Sequence, residues 1–206
     1  MVFPAISIIP PRNKIYQRLG YRREITQLTS HQEKLTDSFI SEAASFIALK
    51  GAALRIPIVE RDSNVILLAA EEICLKSAHL ASFLRNCTEA LLVGATAGRD
   101  IAAATRDNLE NNAVAKAAVF DATASEMADG ALGWLMDYYR RSLLREGKTL
   151  LTKRYSAGYG DFALENQRYF YTLLDLGAID VQITADNILL PEKSVTAITG
   201  IRNIGE

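Results

Sequence analysis

The sequence predicts an α+β fold in which long helices pack on a small, mainly antiparallel sheet. Apolar residues recur at three- and four-residue steps through two long stretches, residues 30–54 and 113–145. Short alternating apolar segments bounded by turn residues fill residues 55–70 and the region after Ile179. No repeat and no Gly/Pro/Ser-rich linker divides the chain. Its 206 residues therefore read as one domain, 1–206, with residues 1–30 as a lead segment.

The elements follow in order. Gly20 ends a short helix in residues 15–28, a segment that also carries Arg18, Arg22 and Arg23. Thr29 or Ser30 caps the helix predicted over 30–54, whose stripe is Leu35, Phe39, Ala43, Phe46, Ile47 and Lys50. The apolar members of that stripe are expected in the core. Residues 55–70 form a hairpin turning at Asp62-Ser63-Asn64. Pro57 lacks an N–H, which predicts an edge position for the first strand. Ile73-Cys74-Leu75 is a further short strand, and Ser77 caps a helix to about Cys87 with Leu80, Phe83 and Leu84 inward. His79 and His31 are expected to be surface or satisfied residues.

Ala90-Leu91-Leu92-Val93 is a strand leading into a glycine-bearing turn, residues 94–98. The P-loop spacing is absent, since Arg99-Asp100 follows Gly98, and no second strand with an acid follows. Helices are predicted over 101–111 and 113–145, separated by Asn111-Asn112. On the second, Met127, Ala131, Trp134 and Tyr138 form one apolar face. Asp121, Ser125, Asp129 and Leu132 fall nearly opposite, so Asp129 reads as a solvated acid. Gly147 closes this helix. Asp161 caps a further helix to about Leu176, with Phe162, Tyr169, Leu173 and Leu176 inward and Gly177 as its stop. Strands over 179–183, 188–191 and 194–200 complete the chain.

Composition excludes several classes. A net charge of −1 lacks the basic footprint of a nucleic-acid binder. No apolar run reaches the ~20 residues that span a bilayer. The start lacks a basic signal-peptide region and is interrupted by Pro4, Pro10 and Pro11, so a cytoplasmic protein with neither membrane nor nucleic-acid partners is expected. Cys74 and Cys87, without a C-x-x-C or an adjacent His, read as buried reduced thiols rather than a metal site. No Ser/His/Asp or Cys/His constellation marks a catalytic residue.

The densest chemistry lies in Arg154-Tyr155-Ser156-Ala157-Gly158-Tyr159-Gly160-Asp161. Arg154 offers a planar fork of donors for a carboxylate or phosphate, and the glycines allow close approach to the main chain. These residues suit a pocket for a zwitterionic or anionic small molecule. They equally suit a polar turn with a structural Arg, which is the simpler local reading.

With Leu151-Thr152-Lys153 before it, Gln167 after it and Leu190-Pro191-Glu192-Lys193-Ser194-Val195-Thr196-Ala197-Ile198 further on, this stretch resembles the reactivation domain of cobalamin-dependent methionine synthase, in particular its free-standing form. Arg18-Leu19-Gly20-Tyr21-Arg22, residues 80–87 with Ala95-Thr96-Ala97-Gly98, and the helix from Asp121 to Trp134 extend the resemblance over most of the chain. It implies a C-shaped α+β domain that binds S-adenosylmethionine. It also implies a partner, methionine synthase or a related corrinoid protein, that carries the cobalamin, because this chain has no Asp-x-His-x-x-Gly. A flavodoxin-type donor would supply the electron. By the same resemblance the substrate-binding residues are Arg154, Tyr155, Ser156, Ala157, Gly158 and Tyr159, with Asp129 standing where the full-length enzyme has a Glu. Arg154 would meet the methionine end and Asp129 would face the ligand's cationic groups. The chain departs from the family at Ala157, often Pro there, and in having no acid before Glu24.

The leading expectation is a reactivation subunit that supports remethylation of oxidised cobalamin in trans. The alternative is a non-catalytic docking module holding a corrinoid methyltransferase in its reactivation conformation. A third, a nucleotide-binding enzyme built around residues 94–98, requires a parallel sheet.

Overall fold

The computed structural model describes residues 1–22, 25–69 and 73–205. Arg23, Glu24 and Ala70, which figure in the sequence reading, lie outside the described residues. The described strands are β1 (Val2–Phe3), β2 (Lys50–Arg61), β3 (Val65–Leu68), β4 (Cys74–Lys76), β5 (Glu89–Thr96), β6 (Lys148–Leu150), β7 (Gln182–Ile183), β8 (Leu189–Leu190) and β9 (Ser194–Asn203). Seven of them form one sheet in the order β4-β3-β2-β5-β9-β6, with β1 added on β2, while β7 and β8 pair separately. All these pairings are antiparallel. That topology removes the parallel sheet a nucleotide-binding reading of residues 94–98 requires.

The helices are α1 (Arg12–Arg18), α2 (Ser30–Ser45), α3 (Ala78–Phe83), α4 (Asp100–Glu110), α5 (Val114–Arg145) and α6 (Gln167–Leu173). The sheet is covered on both faces, and β5 shows why residues 90–95 are apolar without interruption. Its Leu91, Val93 and Ala95 point toward α5, packing with Phe120, Met127, Ala128, Ala131 and Leu135. The intervening Ala90 and Leu92 point the other way, into a core with Leu84, Phe162, Phe170 and Ile198. Alternation along a stretch buried on both faces leaves polar residues only at the strand's ends, Glu89 and Thr96. No helix among the described residues is long and apolar enough to cross a membrane.

The α+β expectation holds, and several local expectations are corrected. Thr29 caps α2 in a reciprocal capping box with Gln32, but the helix stops at Ser45, not Leu54. Residues 50–54 instead enter β2, where Lys50 pairs with Thr96 and Leu54 with Leu92. Leu35 and Phe46 are exposed rather than core. The Asp62-Ser63-Asn64 turn does join a hairpin, yet β2 is interior, between β3 and β5. Ile58 N–H reaches Thr88 O at 3.0 Å on the β5 side. Pro57 therefore turns its nitrogen toward β3, at the end of that ladder where the register slips, and no internal bond is lost there. Gly94 is not a turn residue. It pairs with Ala52 and Thr196 inside β5, where a Cβ would lie 2.8 Å from Leu176 Cδ2. The turn comes later, at Gly98 (φ +87°). Cys74 is half-buried and only Cys87 is fully so.

The last third also differs. Asp161 caps α3 rather than its own helix. The chain after it makes a short 3-10 turn, Leu164–Asn166, before α6, and a second, Leu176–Ile179, that contains Gly177. Phe170, not Tyr169, is the buried aromatic of α6. The predicted strand over 179–183 is reduced to β7.

A charged network ties four elements at one end of the sheet. Arg55 on β2 donates Nη2 to Glu89 Oε1 at 2.9 Å and Nη1 to Glu146 Oε1 at 2.9 Å, while its Nε and Lys148 Nζ also bind Glu89. The Arg55 guanidinium holds the Glu89 carboxyl down at about 2, against an ordinary 4.5, outweighing the opposing effect of burial.

Candidate ligand-binding cleft

Strand β9 positions the site. Beyond β6, Tyr155 bridges to Ile198 through two hydrogen bonds of 2.8 Å, so the chain at Tyr155 continues the sheet for one residue. Side chains there alternate between faces. Tyr155 turns into the core beside Phe83 and Phe162. Its neighbours Arg154 and Ser156 turn the other way, into a cleft facing α5. A tight loop follows, closed by Gly158 N–H to Phe162 O at 2.7 Å and Phe162 N–H to Tyr159 O at 3.0 Å. Gly158 takes φ +87°, a conformation other residues adopt at a cost.

The polar stripe of α5 meets this loop. Lys193, just before β9, reaches Asp121 at 2.6 Å and Ser125 Oγ at 3.0 Å. One turn on, Asp129 Oδ1 accepts from Arg154 Nη2. Leu132, the next member, is buried and lines the cleft. Asp129 is thus a partnered acid, not a free surface one, although its side chain stays 40% exposed. The ion pair uses one nitrogen of a guanidinium with five N–H donors, so the fork retains capacity toward a second acceptor.

The cleft has a volume of about 310 Å³. Its floor is a buried polar pair: Gln167 Nε2 donates to Thr196 Oγ1 at 2.8 Å, both side chains being nearly inaccessible. Ser156 Oγ donates to Thr196 O at 2.7 Å, fastening the loop to β9. Tyr159, 70% exposed, Leu164 and Ile188 supply apolar surface, and Asn187 and Glu192 complete the rim. A cation, two acids, hydroxyls and an aromatic ring on one concave surface suit a small zwitterion attached to a flat or apolar body.

Of the residues singled out in sequence, Asp129, Arg154, Ser156, Ala157 and Tyr159 are brought together in the lining. Tyr155 and Gly158 are not. The first packs behind the loop, and the second shapes it. Gln167, Asn187, Glu192 and Thr196 join the lining without a sequence assignment to the site. Gln167, Glu192 and Thr196 stood within the motif segments, and that was their signal. Asn187 (φ +63°) gave only a turn.

Asp161 anchors the loop from behind. Its carboxylate accepts from Ser77 Oγ at 2.5 Å, from Ala78 N–H at 2.7 Å and from His79 N–H at 3.2 Å, at the start of α3. The Ser77 hydroxyl and then these amides hold its carboxyl below the usual range. His79 Nδ1 stands 3.3 Å from the same carboxylate on the surface. No group of three or more His, Cys, Asp or Glu side chains able to hold a metal occurs among the described residues.

No family model and no curated protein matches the chain in sequence. Its structure is similar to that of the MetH reactivation domain, solved by crystallography bound to AdoHcy. The TM-score is 0.66, with 93% of this chain and 72% of that chain covered at 13% sequence identity. At that identity the likeness establishes the fold, a curled antiparallel sheet carrying one long helix.

Proposed function

We propose that this protein is a free-standing reactivation module: it binds S-adenosylmethionine in the cleft between α5 and residues 154–159 and supports reductive remethylation of a cobalamin carried by a partner methionine synthase or related corrinoid protein. One observation carries the reading. Arg154 and Asp129 meet across a cleft whose walls are the motif segments, on a fold also seen in a reactivation domain bound to AdoHcy.

The residues fit the ligand's groups. The Arg154 fork suits the carboxylate and Asp129 the ammonium, so a bound amino-acid end exchanges one ion pair for two. Tyr159 presents a ring for the adenine or the sulfonium. A cleft of about 310 Å³ lies at the lower end of the roughly 300–1,000 Å³ typical of small-molecule sites. Tyr159 in the cleft lining is 70% exposed, so a second protein can approach the cleft there. A corrinoid carried by the partner and reduced by a flavodoxin-type donor would supply the nucleophile that accepts the methyl group as the ligand's C–S bond breaks, the sulfonium leaving as a neutral thioether. On this reading this chain's residues are required only to bind and orient.

Calorimetric titration with S-adenosylmethionine tests the proposal. Saturable binding is expected in the wild type, falling at least tenfold in Arg154→Ala. Binding unchanged by that substitution would move the ligand elsewhere. No binding, with retained affinity for a corrinoid partner, would favour the docking-module reading.

A further inference from the structure

We infer that Glu192 makes the cleft selective for the sulfonium form of its ligand, S-adenosylmethionine, over the thioether S-adenosylhomocysteine; this rests on the assignment of the cleft proposed above. Among the described residues, three formal charges line the cleft: Asp129, Arg154 and Glu192. The first two face each other and cancel. The adjacent cation, Lys193, is drawn away onto α5 by Asp121 at 2.6 Å and Ser125 at 3.0 Å. Arg168, whose Nε donates to Asn187 Oδ1 at 3.3 Å, stands on α6 outside the lining. The cleft is therefore left with one negative charge, and its bearer is Glu192.

The two ligands differ by one positive charge. Their amino-acid ends are alike, a carboxylate and an ammonium of zero net charge, matched by Arg154 and Asp129. The sulfonium adds a cation that only S-adenosylmethionine carries, so the unmatched acid distinguishes substrate from spent product. Glu192 is exposed. Its attraction is accordingly that of a pair near water, worth roughly five- to tenfold in affinity, and is screened by salt over about 8 Å.

Titration of wild type, Glu192→Gln and Glu192→Lys with both ligands tests this. The wild type should prefer S-adenosylmethionine about five- to tenfold. The Gln variant should bind both about equally, with its thioether affinity unchanged, and the Lys variant should prefer the thioether. The wild-type ratio should also shrink as salt is raised. A Gln substitution that weakens both ligands alike, or leaves the ratio intact, overturns the inference. Equal wild-type affinities overturn it while leaving the cleft assignment standing. If neither ligand binds the wild type, the cleft assignment fails and this inference falls with it.

Discussion

Replacing Glu89 by Gln should destabilise the protein in a way that depends on pH. The carboxyl titrates at about 2 in the folded chain against an ordinary 4.5, chiefly because the Arg55 fork grips it. Its side chain is only 13% exposed, so solvent screens the interaction little. A difference of that size in proton affinity corresponds to about 3 kcal/mol of stability. Because the folded value is the lower one, the whole contribution is present above the unfolded value of about 4.5. It is lost progressively as pH falls toward 2. The amide of Glu89→Gln keeps the shape but not the charge, so Lys148 loses its counter-ion and Arg55 keeps only Glu146. Urea unfolding at pH 7, 4 and 2.5 measures the effect. Wild type should exceed the variant by about 3 kcal/mol at pH 7, and the gap should narrow steadily below pH 4.5. Parallel stability curves for the two proteins over that range would refute the reasoning, showing that the network is worth no more than surface pairs.

Thr196→Val removes the hydroxyl that satisfies the buried Gln167 amide; a loss of about 1–3 kcal/mol in chemical denaturation is expected, with part recovered when Gln167→Leu is added. Gly200→Ala places a Cβ 2.2 Å from Cys87 Sγ and 2.9 Å from Leu84 Cδ2. Overpacking of about 1–3 kcal/mol should appear as a lower urea midpoint, relieved in part by Cys87→Ala. Asp161→Asn should leave the sheet intact yet speed hydrogen exchange at the amides of Ala78 and His79. In the wild type the protection of these amides, relative to their intrinsic exchange, should fall as acid protonates Asp161, whose lowered folded pKa confines its contribution to higher pH.

Features governed by local chemistry were legible in the sequence. Gly20 and Gly147 end helices in the left-handed conformation, Thr29 caps α2, and the Asp62-Ser63-Asn64 turn lies where its side chains predict. Residues 46–54 read as helix in the sequence because Ala and Leu favour a helix intrinsically. Pairing with β5 overrides that preference, and with it the local signal. Asp161 failed for a related reason. A capping acid followed by an apolar run predicts a local helix, whereas this acid caps a helix more than eighty residues earlier in the chain. The loop carrying Arg154 was visible as a concentration of chemistry. Its pairing with Asp129 was not, because an acid opposite a helix's apolar face looks solvated until another segment is laid across it. Glu192 and Thr196 became site residues only when β9 was placed beside that loop.

The position of β9 governs how the chain comes off the ribosome. It is made last of the nine described strands, yet it lies inside the sheet and is the strand on which β6 pairs. Until residues 194–203 emerge, β5 presents Leu91, Leu92 and Val93 on an open edge, β6 has no ladder, and Tyr155 has nothing to bridge. The β2–β3 hairpin has its partner close in sequence, but the sheet's centre must wait for β9. A stalled or truncated nascent chain is then an aggregation-prone intermediate rather than a smaller folded domain. The same closing step lays the wall of the cleft, so a chain able to capture ligand is one whose synthesis has already passed β9.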